Sequence, residues 1–337
     1  MALARLFPPA RLENVFEDED NQSFEEFLEM GQREPNEQGT GRVKLTQVRN
    51  KVQVILFTSS KSRLSKPKHL PALVSFISKF LMLEVDYREQ LGALDLATGT
   101  FTLDGLEYDI TPPPAPKRRK KAGKPSAAPA SSVDVFELFD VLVHAAQAPY
   151  ASIVGLFDFT LTEDDREVMG RACGDRVCCI SLPQCDGSLA ALLATACHEL
   201  LHTLGVDHAT EERCVMNAIS SAEDGDCLWL CLSNLRKLVL MHQEWGEGSP
   251  LGAVAGGRLL RGRNGGSGSG SGGGGGSKSS SSSCESKGKS EDLNGDADWR
   301  AFVRWYHQGL LGCARDTRPL QSLVAWLEAV VEAFGPE

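Results

Sequence analysis

The sequence predicts an α/β fold, a twisted mixed sheet with helices packed on it, and three observations carry that expectation. Val52-Gln53-Val54-Ile55-Leu56-Phe57, an amphipathic run from Pro71 to Leu81, and the alternating Leu83-Glu84-Val85-Asp86-Tyr87 succeed one another as strand, helix and strand. Two further apolar runs, 151–157 and 176–182, read as strands separated by an acidic segment, Thr162 to Glu167. Beyond them Asp186-Gly187-Ser188 reads as a cap, and Leu189, Leu192, Leu193, Ala196, Leu200 and Leu204 fall at roughly helical spacing.

The rest of the chain fits around this core. Residues 1–45 are polar and charged and read as a flexible lead-in. Residues 46–248 form the expected folded domain. Phe101-Thr102-Leu103, Asp104-Gly105 and Leu106-Glu107-Tyr108 carry a hairpin signal. Residues 111–132, rich in Pro, Lys and Arg, interrupt the domain as a solvated insertion. The cluster Lys117-Arg118-Arg119-Lys120-Lys121 within it reads either as a nuclear import signal or as a plain run of charge. Val133, Phe136, Leu138, Phe139, Leu142 and Val143 define another amphipathic helix, and Leu228 to Gln243 a further one. Residues 249–292 are a Gly/Ser-rich linker. Residues 293–337 hold two amphipathic helices, one with Trp299, Phe302, Val303, Trp305 and Leu310, the other with Leu320, Leu323, Val324, Leu327 and Val330. They dock back on the domain or meet a protein partner.

Three of the seven histidines lie between His198 and His208. His198 and His202 are about one turn apart, about 6 Å along a helix axis, so both imidazoles leave one face and reach one cation. Gly205 stops the helix, because a residue without Cβ takes the left-handed conformation readily. The turn it makes brings His208 back as a third ligand. Three nitrogens on a tetrahedral zinc leave one corner for water, and Glu199, beside the first ligand, is the natural general base.

The pattern His198-Glu199-x-x-His202-x-x-Gly205-x-x-His208 resembles the metzincin zinc peptidases, in which a methionine turn lies under the metal. Met216 stands where that methionine belongs. The short interval to Cys214-Val215-Met216-Asn217, and the segment Cys231-Leu232-Ser233-Asn234-Leu235-Arg236-Lys237-Leu238, are similar to the archaemetzincins. The likeness covers about residues 130–240. It implies a metzincin-like sheet with the active helix packed on it, one catalytic zinc in a cleft between the sheet and the chain after Gly205, and intracellular hydrolysis of peptide bonds. Aminopeptidase-like action on short peptides is likewise an implication of the likeness. In that family four cysteines hold a second, structural zinc. Here Ala209 and Asn234 stand at two of those places, leaving Cys214 and Cys231, with Cys227 as a replacement ligand. The same cysteines also read as ordinary small buried hydrophobes.

Composition narrows the function. A net charge of −10 argues against a dedicated nucleic-acid binder, and no apolar run is long enough for a membrane span. Ten cysteines at irregular spacing behind an N-terminus unlike a secretory signal fit a cytoplasmic or nuclear protein, not a secreted one. The expected substrate is a peptide or protein. A catalytically silent zinc-binding adaptor acting through the C-terminal helices is the other reading, and the intact Glu199 argues against it.

Overall fold

The computed structural model describes residues 5–9, 21–33, 41–57, 69–90, 94–95, 98–103, 105–110, 132–145, 149–164, 166–174, 176–185, 187–217, 227–251, 297–315 and 320–334. The 111–132 insertion short of Ser132, with its basic cluster, and the 249–292 linker beyond Leu251 lie outside those residues.

Along the chain the described residues form α1 (Phe24–Glu29), β1 (Gln32–Arg33), β2 (Arg42–Val43), β3 (Lys51–Phe57), α2 (Leu70–Leu81), β4 (Glu84–Gln90), β5 (Leu94–Asp95), β6 (Thr100–Leu103), β7 (Leu106–Asp109), β8 (Ser132–Asp134), α3 (Val135–Ala145) and β9 (Tyr150–Phe157). Then come β10 (Thr160–Glu163), β11 (Arg166–Val168), β12 (Gly170–Cys173), β13 (Val177–Ser181), α4 (Leu189–Thr203), α5 (Leu232–Trp245), α6 (Ala297–Arg315) and α7 (Gln321–Ala333). The fold is mixed α/β, as the periodicities predict.

The main sheet runs β12-β13-β9-β3-β4. Its last four strands are parallel, and β12 joins antiparallel at the edge beside β13. Alternate side chains serve two cores. Val52, Val54 and Leu56 of β3, Val154 and Leu156 of β9, and Cys178 and Ile180 of β13 meet α2, α4 and α5. Ile55, Phe57, Ile153, Phe157, Val177 and Cys179 meet α3 on the other face. Covered on both sides, these strands read as near-continuous apolar runs. The neighbours Cys178 and Cys179 point opposite ways, as the two-residue strand period requires.

Helices α6 and α7 pack against the α2 side of the molecule. The Tyr306 hydroxyl donates to the carbonyl of Phe80 at 2.9 Å. Trp326 stacks on Trp229 with ring centroids 4.6 Å apart and donates its Nε1–H to Leu6 O at 2.7 Å. No helix among the described residues is long and apolar enough to cross a membrane.

Four local expectations change. Within the stretch read as a lead-in, Ser23 and Glu26 make a capping box that starts α1, and Phe27 is fully buried. The acidic segment after β9 is a hairpin, β10 with β11, followed by the edge strand β12. Val133 belongs to β8 rather than to α3, and Phe136 is exposed, because the buried face of α3 starts at Val135. Helix α5 begins at Leu232, not Leu228, because the Trp229 carbonyl is taken by the Val215 N–H at 2.8 Å, which holds that stretch extended.

His242 and His307 are both fully buried, the first donating to Leu81 O at 2.8 Å and the second to Val303 O at 2.6 Å. Burial pulls each down to about 4, well under the ordinary imidazole value. With the folded value depressed, the stabilising contribution is present above about pH 6.5 and is lost as pH falls toward 4, since the unfolded chain binds the proton more readily. Each histidine should therefore cost up to about 3 kcal/mol by pH 4. Urea unfolding at pH 7.5 and 4.5 should show a smaller acid loss in His307→Gln than in the native protein.

Candidate metal centre

Helix α4 starts where Ser188 accepts the Ala191 N–H at 3.3 Å. Its Ala/Leu-rich turns bury almost every side chain, so it lies deep against the sheet. Thr203 Oγ1 lies 2.6 Å from Ser152 Oγ and ties the helix end to β9. Gly205 follows with φ +92°, and a Cβ there would lie 2.7 Å from the Cα of Arg42 and 2.8 Å from the Gly41 carbonyl oxygen. Both the backbone conformation and the close approach of the 41–43 segment require glycine.

The turn carries His208 back to the helix face. The three Nε2 atoms lie 3.0 Å (His198 to His202), 3.2 Å (His202 to His208) and 3.3 Å (His198 to His208) apart. Nitrogens bound at about 2.0–2.1 Å on one tetrahedral ion would be about 3.3 Å apart, so the triad fits a zinc ion. His198 Nδ1 donates to Val215 O at 2.8 Å, and His202 Nδ1 donates to Val206 O at 3.0 Å. Those bonds put the ring protons outward and leave bare Nε2 lone pairs facing one another. Burial, then the neighbouring histidines, lower both groups, His202 to about 3, so both are neutral and ready to ligate. Among the described residues the three histidines are the group whose ligand atoms can share one ion.

The loop from His208 to Asn217 is stitched by one buried amide. Asn217 Oδ1 accepts from the Cys214 N–H at 2.8 Å, and its Nδ2 donates to Ala209 O at 2.6 Å and to Glu212 O at 3.0 Å. The Ala209 N–H donates to Met216 O at 2.9 Å. Met216 is fully buried and follows Val215, the partner of His198.

Glu199 lies between α4 and the edge strand β12. A Cβ on Gly170 would come 2.9 Å from Glu199 Cγ and 2.7 Å from Thr195 Cγ2, so glycine lets the strand close over the carboxylate. Burial raises Glu199 to about 8, against the opposing pull of the Arg171 charge and a hydrogen bond from the Ala172 N–H. A carboxyl balanced this close to neutral pH exchanges a proton readily.

The cysteines are arranged differently. Cys214 Sγ accepts from the Cys231 N–H at 3.2 Å and from Asn234 Nδ2 at 3.4 Å, while the Cys227 thiol faces Trp229 O at 3.8 Å. Burial raises the Cys214 thiol, but the hydrogen bonds from Cys231, Met216 and Asn234 outweigh it and hold the thiol below its usual range. Cys214, Cys227 and Cys231 do not bring three sulfurs to one point, and Asn234, at a place where the archaemetzincin pattern has a ligand, caps the Cys214 sulfur instead.

The spacing of the motif gave no sign of the residues that brace the third ligand. Gln22 Oε1 accepts from the Asp207 N–H at 3.0 Å and from Lys237 Nζ at 3.0 Å, and its Nε2 donates to Gly205 O at 3.4 Å. Asn21 Oδ1 accepts from the Thr210 N–H at 3.1 Å. The local signal nearby is the Ser23-x-x-Glu26 capping box, which marks an ordered element where a lead-in was expected.

No family model matches the sequence, and no characterised protein matches it. Among solved structures the chain is similar to an archaemetzincin from Methanopyrus kandleri, at 18% identity over 58% of this chain and 95% of that one, with a TM-score of 0.40. It is also similar to a zinc-dependent peptidase from Methanocorpusculum labreanum, at 17% identity over 55% of this chain and 99% of that one, with a TM-score of 0.34. Likeness at those scores says nothing of function, which is read from the geometry of the histidines and Glu199.

Replacing His208 with alanine should weaken zinc binding at least about a hundredfold in a chelator competition, since one of three nitrogens is lost. Gly205→Ala should lower unfolding free energy by about 2–4 kcal/mol through strain and overpacking. It should also weaken zinc about 10–100-fold, because the turn that places His208 must shift.

Proposed function

We propose that this chain is a zinc-dependent peptidase that hydrolyses peptide bonds in peptide or protein substrates. The observation that carries the reading is the convergence of three Nε2 atoms within 3.3 Å, two of them oriented by backbone carbonyls. The bare Nε2 lone pairs of His198 and His202 face each other at 3.0 Å, an arrangement that a shared cation stabilises.

His198, His202 and His208 would hold the ion. Bound there, zinc supplies a Lewis acid that polarises the substrate carbonyl and makes water acidic at neutral pH. Glu199, next in the chain to the first ligand, takes the proton from the attacking water and passes it to the leaving amine nitrogen. Its burial suits both steps, since a carboxyl near pH 8 accepts and releases a proton with little penalty. The Ala172 N–H on the sheet edge holds the carboxylate in place. Met216 closes the apolar floor under the ligands without binding the ion. The aminopeptidase-like preference rests on the archaemetzincin-like motif alone.

The adaptor reading needs a free apolar face on the C-terminal helices. Trp299, Phe302, Val303, Tyr306, Leu310, Leu323, Leu327 and Val330 are all buried in the core shared with α2 and α4.

Glu199→Gln should keep its zinc and lose about 10²–10⁴-fold in kcat/KM against a peptide library. Metal analysis and cleavage assays on the same samples check this. Equal cleavage by the native and substituted proteins would end the peptidase reading.

A further inference from the structure

The carbonyls that end a helix have no partner further along it, and residues 22–43 supply one to each of three in succession at the end of α4. Thr203 O accepts from the Arg33 guanidinium at 3.1 Å, Leu204 O from the Val43 N–H at 3.1 Å and Gly205 O from Gln22 Nε2 at 3.4 Å. Gln22 then reaches past Gly205. Its backbone N–H donates to His208 O at 3.3 Å, and its side-chain Oε1 accepts from the Asp207 N–H. One residue therefore holds the turn on both sides of Val206 and bonds the backbone of the third ligand itself.

Gln22 is fixed in its turn by Lys237 of α5, whose buried ammonium donates to both of its oxygens, backbone and side chain. A buried ammonium is costly without such partners, so the pair resists separation. His198 and His202 stand on one face of α4, four residues apart, and the helix keeps them in register. His208 lies on the turn beyond Gly205, where the backbone angles of several residues together decide where its Nε2 falls. Its separations of 3.2 and 3.3 Å from the other two Nε2 atoms leave the turn little room to relax.

We propose that Gln22 is a positioning residue for the metal centre: it sets the place of His208 and with it the affinity for zinc. This rests on the metal-binding part of the reading above and concerns zinc affinity rather than cleavage. The side chain supplies two of the three bonds from Gln22 to the turn, and the oxygen that Lys237 holds. Without it the turn gains other arrangements, and binding the ion must then meet the cost of ordering it. Groups that orient metal ligands from outside typically contribute about 10–100-fold in affinity.

The test is a double-mutant cycle on the full-length protein, read as zinc affinity in a chelator competition. Gln22→Ala should weaken zinc about tenfold or more when His208 is present. In a His208→Ala background, with no third ligand left to place, the same substitution should change affinity by less than about twofold. A residue that only supports the fold would weaken zinc equally in both backgrounds. Gln22→Glu keeps oxygens for the Asp207 N–H and for Lys237 and loses only the long bond to Gly205 O, so it should stay within about threefold of the native protein. Gln22→Met keeps the length of the side chain without its polar end. It should match Gln22→Ala, and it takes that variant's place in the cycle if the alanine protein does not fold. Equal weakening in the two backgrounds, or native affinity in both Gln22→Ala and Gln22→Met, would overturn the proposal, as would Gln22→Glu binding zinc as weakly as Gln22→Ala. If the native protein binds zinc and cleaves no peptide, the peptidase reading fails and the cycle still decides this one. If the native protein binds no zinc, the metal centre and this proposal fall together.

Discussion

Three imidazole nitrogens facing one another across little more than 3 Å are an electrostatic liability, and most of the surrounding structure exists to hold them there. The bare lone pairs of His198 and His202 point at each other. Two of the rings are kept from turning away by backbone carbonyls, Val206 just past the helix and Val215 beside Met216. Burial prevents the simplest escape, protonation, by making charge expensive. A cation resolves the conflict, which is the physical content of calling the cluster a metal centre.

Holding that arrangement requires the loop beyond Gly205 to be as rigid as the helix before it. Two buried polar groups do this from opposite sides. Asn217 spans the inside of the loop with three hydrogen bonds, each to backbone. Outside it, the fully buried Lys237 donates to the carbonyl of Gln22 at 2.5 Å and to its side chain, which in turn holds Asp207 and Gly205. Burial lowers the Lys237 pKa, and the nearby Cys231, Cys214, Asp207 and Glu26 act against that fall. A buried ammonium is tolerable only with such partners.

The features legible in the sequence were those written in short-range period. The apolar runs of β3, β9 and β13, the Ala/Leu spacing of α4 and the histidine intervals all lie within one or two turns or a few strand residues. The metal ligands and Glu199 could therefore be named from spacing, and the fold brings the three histidines together. What escaped notice depends on partners far away in the chain. Gln22 meets Asp207 across 185 positions, and no periodicity marks a residue for that task. Strand β12 is only four residues long, with a glycine first, so it lacks the run of side chains by which a strand is recognised. The apolar residues before α5 look helical, but their backbone is claimed by Val215, and the cap is a cysteine that makes no side-chain capping bond. Nor could spacing show that the side chain of Asn234 donates to the sulfur of Cys214, twenty positions earlier.

The stacked pair Trp229 and Trp326 has a bearing on how the molecule is made. Trp229 supplies the carbonyl that receives Val215 N–H, and Val215 supplies the carbonyl that orients His198. Trp326 also reaches Leu6, while Pro8 accepts from the N–H of Arg213 in the metal loop. Residues near both ends of the chain thus clasp the segment that finishes the centre. A growing polypeptide exposes its histidines more than a hundred residues before the indole that stacks on this segment has been synthesised, so the nascent centre first exists without that cover.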